Sequence, residues 1–283
     1  MRIASYELPD GTASFGTVDG ASLRDCGDDY RARFPDLASV ISAGDLDGLR
    51  VAAASSNPLA FTEVSFLPPI PRPDKIICIG LNYMTHIRET GRDAPKYPPV
   101  FTRYPSSLVG HAENLVLPEA SNWFDYEGEL AAVIGTAARN VSVEEAMAYV
   151  AGYTCFNDGS VRDYQRHTSQ FWAGKNFDRS GSVGPWILTA DEIETLGELE
   201  LKTRLNGQTV QSTSISDLAF DVPALVSYLS TVTTLLPGDV IATGTPSGVG
   251  LFREPKLFLT PGDIVEVEIS QIGTLSNTVV KEH

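Results

Sequence analysis

Between Phe124 and Gly135 the chain reads FDYEGELAAVIG, an apolar run broken near its head by two glutamates, Glu127 and Glu129. Strand periodicity sends alternate side chains to one face, so the two carboxylates project side by side while Leu130 to Ile134 commit the rest of the segment to the interior. The N-terminal stretch MRIASYELPDGTASFGTVDG alternates and breaks at Asp10-Gly11 and Asp19-Gly20, which predicts a short antiparallel meander. Residues 36–54, DLASVISAGDLDGLRVAAA, carry a helical mixture, and KIICIG predicts a buried strand. VSVEEAMAYVAGY predicts a helix, with Ser142 as N-cap and Glu145 three residues on in a capping box. Beyond Tyr153 the segments GPWILT, LELKTRLNGQTV with an Asn206-Gly207 hairpin, GDVIATG and GDIVEVEISQIGTLSNTVV predict strands and turns. One helix, Val222 to Thr231, interrupts them.

The stretch LPPIPRPDK, Leu67 to Lys75, places four prolines in nine positions and suits an extended connector. It divides the chain into a small β-rich N-terminal domain, residues 1–70, and a larger domain, residues 71–283. Strands outnumber helices and do not alternate with them, so the expected class is α+β, mostly β, and not a doubly wound sheet.

Composition narrows the chemistry. At 283 residues and 42% hydrophobic content the chain can bury a sizeable core. Its 21 basic and 36 acidic residues give a net charge of -15, which argues against a nucleic-acid partner. No apolar stretch is long enough for a membrane span and the first residues lack the apolar core of a signal peptide, so no membrane role and a cytoplasmic location are expected. Cys26, Cys78 and Cys155 form no C-x-x-C pair and read as reduced thiols.

Two carboxylates as close as Glu127 and Glu129 repel, and the compensation is a basic partner, protonation of one of them, or a bound cation. Asp158, in CFNDGSVRDYQRHTSQFWAGKNFD, can complete a three-carboxylate site whose hard oxygen donors favour Mg²⁺ or Mn²⁺ over Zn²⁺. The competing reading pairs the glutamates with arginines and uses Asp158 to cap a turn before Gly159; spacing alone leaves both open. In GLNYMTHIRETG, His86 and Glu89 lie three apart, so on a helical turn the carboxylate can orient the imidazole and raise its basicity, which suits a general base. An exposed surface pair is the plainer alternative.

Several motifs in order, YEGELAAVIG, GYTCFNDGSVRDYQ, GKNFD, GPWILT and PGDVIATGTPSGVG, resemble the fumarylacetoacetate hydrolase family from about Lys75 to the C-terminus. The resemblance implies a mixed β-roll fold, a homodimer, and Mg²⁺ or Mn²⁺ on Glu127, Glu129 and Asp158. It also implies a catalytic His86 and Glu89 in a mobile segment, with Gly80 and Gly91 as candidate hinges. Arg162, Gln165 and Lys175 match positions that contact substrate: Arg162 for a carboxylate, Gln165 as an amide donor, Lys175 for a developing enolate. Thr245 sits in ATGTPSGVG, a Gly-rich stretch without the Gly-Lys-Ser/Thr of a nucleotide loop, and by resemblance offers its hydroxyl and backbone N–H to a carboxylate. Gly159, Val161, His111, His167 and Trp172 depart from the commoner family pattern and put the substrate in question, not the metal. The expected reaction is metal-dependent hydrolysis of a C–C bond in a small anionic 2,4-dioxo acid, releasing pyruvate. Oxaloacetate decarboxylation and keto-enol or double-bond isomerisation are the alternatives on the same scaffold, and a non-catalytic binding protein is a third.

Overall fold

The strand Gly128–Ile134 is buried along its whole length, and its two faces enter different cores. Leu130, Ala132 and Ile134 face a core shared with Tyr153, Leu201 and Val267. Ala131 faces the opposite way, among Ile76, Cys78 and Phe156. This period of two is why a nearly continuous apolar run folds as a strand covered on both sides. Full burial of Leu130, Leu201 and Val267 stabilises the fold by about 1.5–3 kcal/mol each.

The computed structural model describes residues 1–282. A twelve-stranded sheet runs, edge to edge, through Pro58–Ala60, Ser22–Asp25, Ala13–Asp19, Arg2–Glu7, Gly181–Thr189, Val150–Asn157, Gly128–Ile134, Val240–Ala242, Ile76–Ile79 and Val100–Thr102, with Ser65–Phe66 and Leu108–Val109 pairing off this path. The N-terminal strands therefore share one sheet with the rest, joined where Arg2 and Ile3 pair with Leu188 and Ile187. A second, five-stranded sheet of Gln208–Ser214, Glu200–Leu205, Ile264–Ile269, Gly273–Lys281 and Leu115–Leu117 packs against the first through Leu201, Val267, Ile269 and Leu275. The architecture is α+β and mostly β, with helix Val222–Val232 closing the core between the sheets; Asp221 caps it by accepting from the Ala224 N–H at 2.9 Å.

The predicted meander is present, with its turns at Gly11 (φ 82°) and Gly20 (φ 59°). Asn206 and Gly207 both take positive φ, 51° and 78°, as the two-residue hairpin between Leu205 and Gln208 requires. The helix expected over VSVEEAMAYVAGY does not form. Ser142 Oγ does donate to Glu145 Oε2 at 3.1 Å, but only a single tight turn, Ala146–Tyr149, follows before the chain enters strand Val150–Asn157. That strand is hydrogen-bonded on both edges, to Gly128–Ile134 and Gly181–Thr189, and this pairing overrides the local helix signal. Among the described residues no helix is long and apolar enough to cross a membrane.

Candidate active site

Register explains the opening glutamates. In the antiparallel pair, Gly128 stands opposite Asn157 and Glu129 opposite Phe156, so Glu127 comes opposite Asp158, whose N–H donates to the Glu127 carbonyl at 2.8 Å. Glu127 and Glu129 share a face by the period of two, and Asp158 joins them across the ladder. One oxygen from each of the three lies within 4.8 Å of the other two, and all three residues are buried. Gly128 between the glutamates allows the second sheet to approach: a Cβ there would meet Thr203 Oγ1 at 2.0 Å. Gly159 is equally constrained, because a Cβ would lie 1.9 Å from the Ser180 carbonyl oxygen, which accounts for its departure from a bulkier residue.

The pairing with basic residues and the carboxylate cluster coexist. Glu127 accepts from Arg162 Nη1 at 2.5 Å and Lys175 Nζ at 2.6 Å. Asp158 accepts from Lys175 Nζ at 2.6 Å and from Arg103 Nη1 at 2.6 Å. Among the described residues Glu129 has no cationic partner; its Oε2 accepts the Gly244 N–H at 2.8 Å. Burial opposes ionisation of Glu127, but Arg162 and Lys175 outweigh it and hold the carboxyl at about 2. Burial pushes the Glu129 carboxyl well up, and the neighbouring Asp158 and Glu127 push it further. A buried all-oxygen donor set with one uncompensated carboxylate fits a hard divalent cation. Glu127, Glu129 and Asp158 would hold it.

Arg103 carries no signal in the sequence beyond following an apolar strand, yet it is a central support. It is buried, and its five N–H donors go to Asp158, Gly159, Ser180 and both the carbonyl and hydroxyl of Ser107. Asp125 is a second such support: it accepts from Arg162 Nε at 2.8 Å and from the Gly250 and Leu251 N–H groups at 2.8 and 2.9 Å. Arg162 keeps one orphan, Nη2, which is buried without a partner.

The second expected pair is also assembled. Helix Met84–Glu89 buries His86, and His86 Nδ1 lies 2.7 Å from Glu89 Oε2. With the carboxylate as acceptor, Nδ1 carries the proton and Nε2 is left as the base. Glu89 Oε1 in turn accepts the Gly248 N–H at 2.9 Å, fastening the short helix to the Thr243–Gly250 segment. The helix start is fixed from outside. Asn82 is fully buried, donates to the Phe220 and Thr243 carbonyls at 2.9 and 2.8 Å, and accepts from the Phe220 N–H. Asp217 accepts from the N–H and hydroxyl of Thr85 at 3.0 and 2.6 Å. Between strand and helix, Leu81 takes φ 50°, a left-handed conformation held by these contacts.

One cavity of about 260 Å³ brings these groups together, lined among others by His86, Glu127, Glu129, Arg162, Lys175 and Thr245. Gln165 lines it too, its Oε1 accepting from Arg162 at 3.0 Å and its amide N–H groups left for a ligand. The Thr245 hydroxyl donates to the Gly128 carbonyl at 3.0 Å and accepts from Gln211 at 2.9 Å, tying its loop to the glutamate-bearing strand. All three Lys175 donors point at Glu127 and Asp158, so it acts on the site through its charge. His111, His167 and Trp172 lie off the cavity: His111 accepts the Ser276 N–H at 3.1 Å, His167 packs on Tyr164, and Trp172 is half-exposed against Tyr104.

The family model for the fumarylacetoacetate (FAA) hydrolase C-terminal region matches residues 75–280. A mitochondrial oxaloacetate tautomerase of Bos taurus is 42% identical over 238 residues, which is 83% of this chain and 76% of the relative. A fumarylacetoacetate hydrolase from psychrophilic Exiguobacterium antarcticum superimposes with a TM-score of 0.89 at 34% identity, covering all of both chains. A maleylpyruvate hydrolase from Sphingobium sp. SYK-6, solved with manganese(II) and pyruvate, superimposes with a TM-score of 0.83 at 31% identity, again over all of both chains.

Proposed function

The chain belongs to the fumarylacetoacetate hydrolase family, and on that footing we propose that it interconverts the keto and enol forms of a small 2-oxo acid, with oxaloacetate as the substrate class. The observation that carries this is His86, held by Glu89 behind it, on the wall of the cavity that Glu127 and Glu129 of the three-carboxylate cluster also line. A base next to an electrophilic site is what proton transfer at the carbon beside a ketone requires. The cavity, about 260 Å³, falls below the range of roughly 300–1,000 Å³ usual for drug-sized ligands, which favours a compact acid over an extended acylpyruvate. The similarity to an oxaloacetate tautomerase supports the same choice.

In this reading Glu127, Glu129 and Asp158 would hold Mg²⁺ or Mn²⁺, which would supply electrophilic pull on the 2-oxo acid when bound. His86 Nε2 takes a proton from C3; the C–H pair becomes the C2=C3 double bond, and the carbonyl pair moves onto the C2 oxygen. Return of the proton to that oxygen gives the enol, and return to C3 gives the keto form. Glu89 stabilises the imidazolium formed between these steps, and the charge of Lys175 sits beside the cluster. Arg162 Nη2 and the Gln165 amide offer donors to the substrate carboxylate, and the Thr245 loop closes that side.

Hydrolysis of a 2,4-dioxo acid is the second reading, favoured by the likeness to a maleylpyruvate hydrolase. There His86 would activate a water instead of a C3 proton. The test is the ultraviolet absorbance of freshly dissolved enol oxaloacetate: the metal-loaded protein should speed its decay to the keto form. Decay at the buffer rate would end this reading.

The family's homodimer is also proposed for this chain. Light scattering at micromolar concentration should give about twice the 30.5 kDa chain mass; a fully active monomer would remove the proposal. A reducing compartment, the cytoplasm in our reading, suits its three free, buried cysteines.

A further inference from the structure

We infer that Arg92 and Arg166 form an outer clamp for the second carboxylate of the substrate, so that the site selects 2-oxo dicarboxylates over 2-oxo monocarboxylates; this rests on the 2-oxo acid reading above. Buried charge beside the cavity sets the requirement. Four buried carboxylates, Asp125, Glu127, Glu129 and Asp158, face three buried cations, Arg103, Arg162 and Lys175. Arg103 and Lys175 direct every donor at protein acceptors, and Arg162 retains only Nη2. A divalent cation turns this one-charge deficit into a one-charge surplus. That surplus balances one carboxylate and no more.

A dianion therefore needs further positive charge, in a protein whose net charge of -15 repels it. Phe101, Phe171, Leu251 and Phe252 give the cavity a large apolar share of its lining. Besides the buried Arg162 and Lys175, the arginines and lysines that line the cavity are Arg92 and Arg166, both exposed. Arg92 follows the turn at Gly91 (φ 69°) after the His86 helix, and Arg166 caps the short helix Arg162–Gln165. Thus each belongs to one of the two segments that carry the inner site residues. Neither guanidinium makes an ion pair or hydrogen bond with another described residue. Two unpaired guanidinium forks at the mouth of a cavity with a carboxylate-compensated floor match a carboxylate held at the far end of the ligand.

The test is calorimetric binding of two ligand pairs to the Mg²⁺-loaded protein: oxaloacetate against 2-oxobutanoate, and 2-oxoglutarate against 2-oxopentanoate. Within each pair only the distal carboxylate differs from a methyl group. The wild type should favour the dicarboxylate of at least one pair by about tenfold or more, the worth of charge-assisted hydrogen bonds at a partly hydrated site. Arg92→Ala and Arg166→Ala should each reduce that ratio, and the double variant should bring it close to one while monocarboxylate affinity stays within about twofold. Arg166→Lys should keep part of the preference, since it retains charge without the fork. A double variant that keeps the full preference overturns the clamp. So does a wild type that accelerates enol decay yet shows no preference, which leaves the tautomerase reading standing. A wild type with the preference but no effect on enol decay sinks the tautomerase reading and leaves the clamp. Failure of every ligand to bind overturns both.

Discussion

His86→Ala is expected to lose about 10²- to 10⁴-fold of the keto-enol interconversion rate, the range for removal of a positioned general base. The loss should fall on kcat, because the imidazole acts on the transferred proton and is not among the groups offered to hold the substrate carboxylate. Metal affinity should stay near the wild-type value, since His86 lies outside the carboxylate cluster. Glu89→Gln should give a smaller version of the same loss. It leaves a hydrogen-bond acceptor beside His86 Nδ1, but removes the charge that stabilises the imidazolium and weakens the tie to the Gly248 N–H. Wild-type turnover by His86→Ala would show that the dyad is not the base. Steady-state kinetics on the enol, with metal affinity measured on the same samples, decides the matter.

The second large effect concerns Glu129, the one carboxylate of the cluster without a cationic partner. Removing metal from the wild type should abolish activity and lower the thermal midpoint. A ligand at a hundredfold excess over its dissociation constant stabilises the fold by about 2.7 kcal/mol, or several degrees for a chain of this size. In Glu129→Gln the metal-dependent shift should vanish. The metal-free variant, however, should be at least as stable as the metal-free wild type, because the substitution removes a carboxyl whose ionisation is opposed by burial and by the neighbouring Asp158 and Glu127. Asp158→Asn is expected to behave differently. It leaves Arg103 and Lys175 short of a buried partner, so the protein itself should lose about 3–5 kcal/mol, the scale for breaking one side of a buried pair. Paired melting curves with and without Mg²⁺ separate the two cases. A metal-dependent shift that survives in Glu129→Gln would remove that residue from the ligand set.

Much of the site could be read from local spacing. Glu127 and Glu129 are two apart at the head of a strand, and His86 and Glu89 three apart on a helical turn, so local geometry brings each pair together. Asp158 was reachable as the third oxygen donor, but its place opposite Glu127 depends on sheet register, which no local pattern fixes. The supports were not legible for the same reason. Arg103 reaches Asp158 across 55 residues, Asn82 meets Thr243 across 161, and Asp217 meets Thr85 across 132. Nothing near Arg103 or Asp217 in the chain marks a role in the site, and Asn82, although close to His86 in sequence, carries no local sign of its distant partners. The helix expected after Ser142 fails for the converse reason: the Ser142–Glu145 contact is present and resembles a helix start, but pairing on both edges makes the residues from Val150 on a central strand. Arg92 and Arg166 left no motif because their positions matter only at the cavity mouth.

Hydrolysis, decarboxylation and tautomerisation share an electrophilic site and differ in which bond breaks, so product analysis alone can miss a proton moved and returned. The most direct measurement is proton NMR of keto oxaloacetate in D₂O with the metal-loaded protein. It follows the C3 protons and the appearance of pyruvate in one sample, with His86→Ala as the control. Wild type should accelerate exchange of the C3 protons with solvent, pyruvate should form no faster than without protein, and His86→Ala should slow the exchange by about 10²-fold or more. Pyruvate rising with the loss of oxaloacetate in the wild-type sample, or C3 exchange at the protein-free rate, would contradict the tautomerase reading.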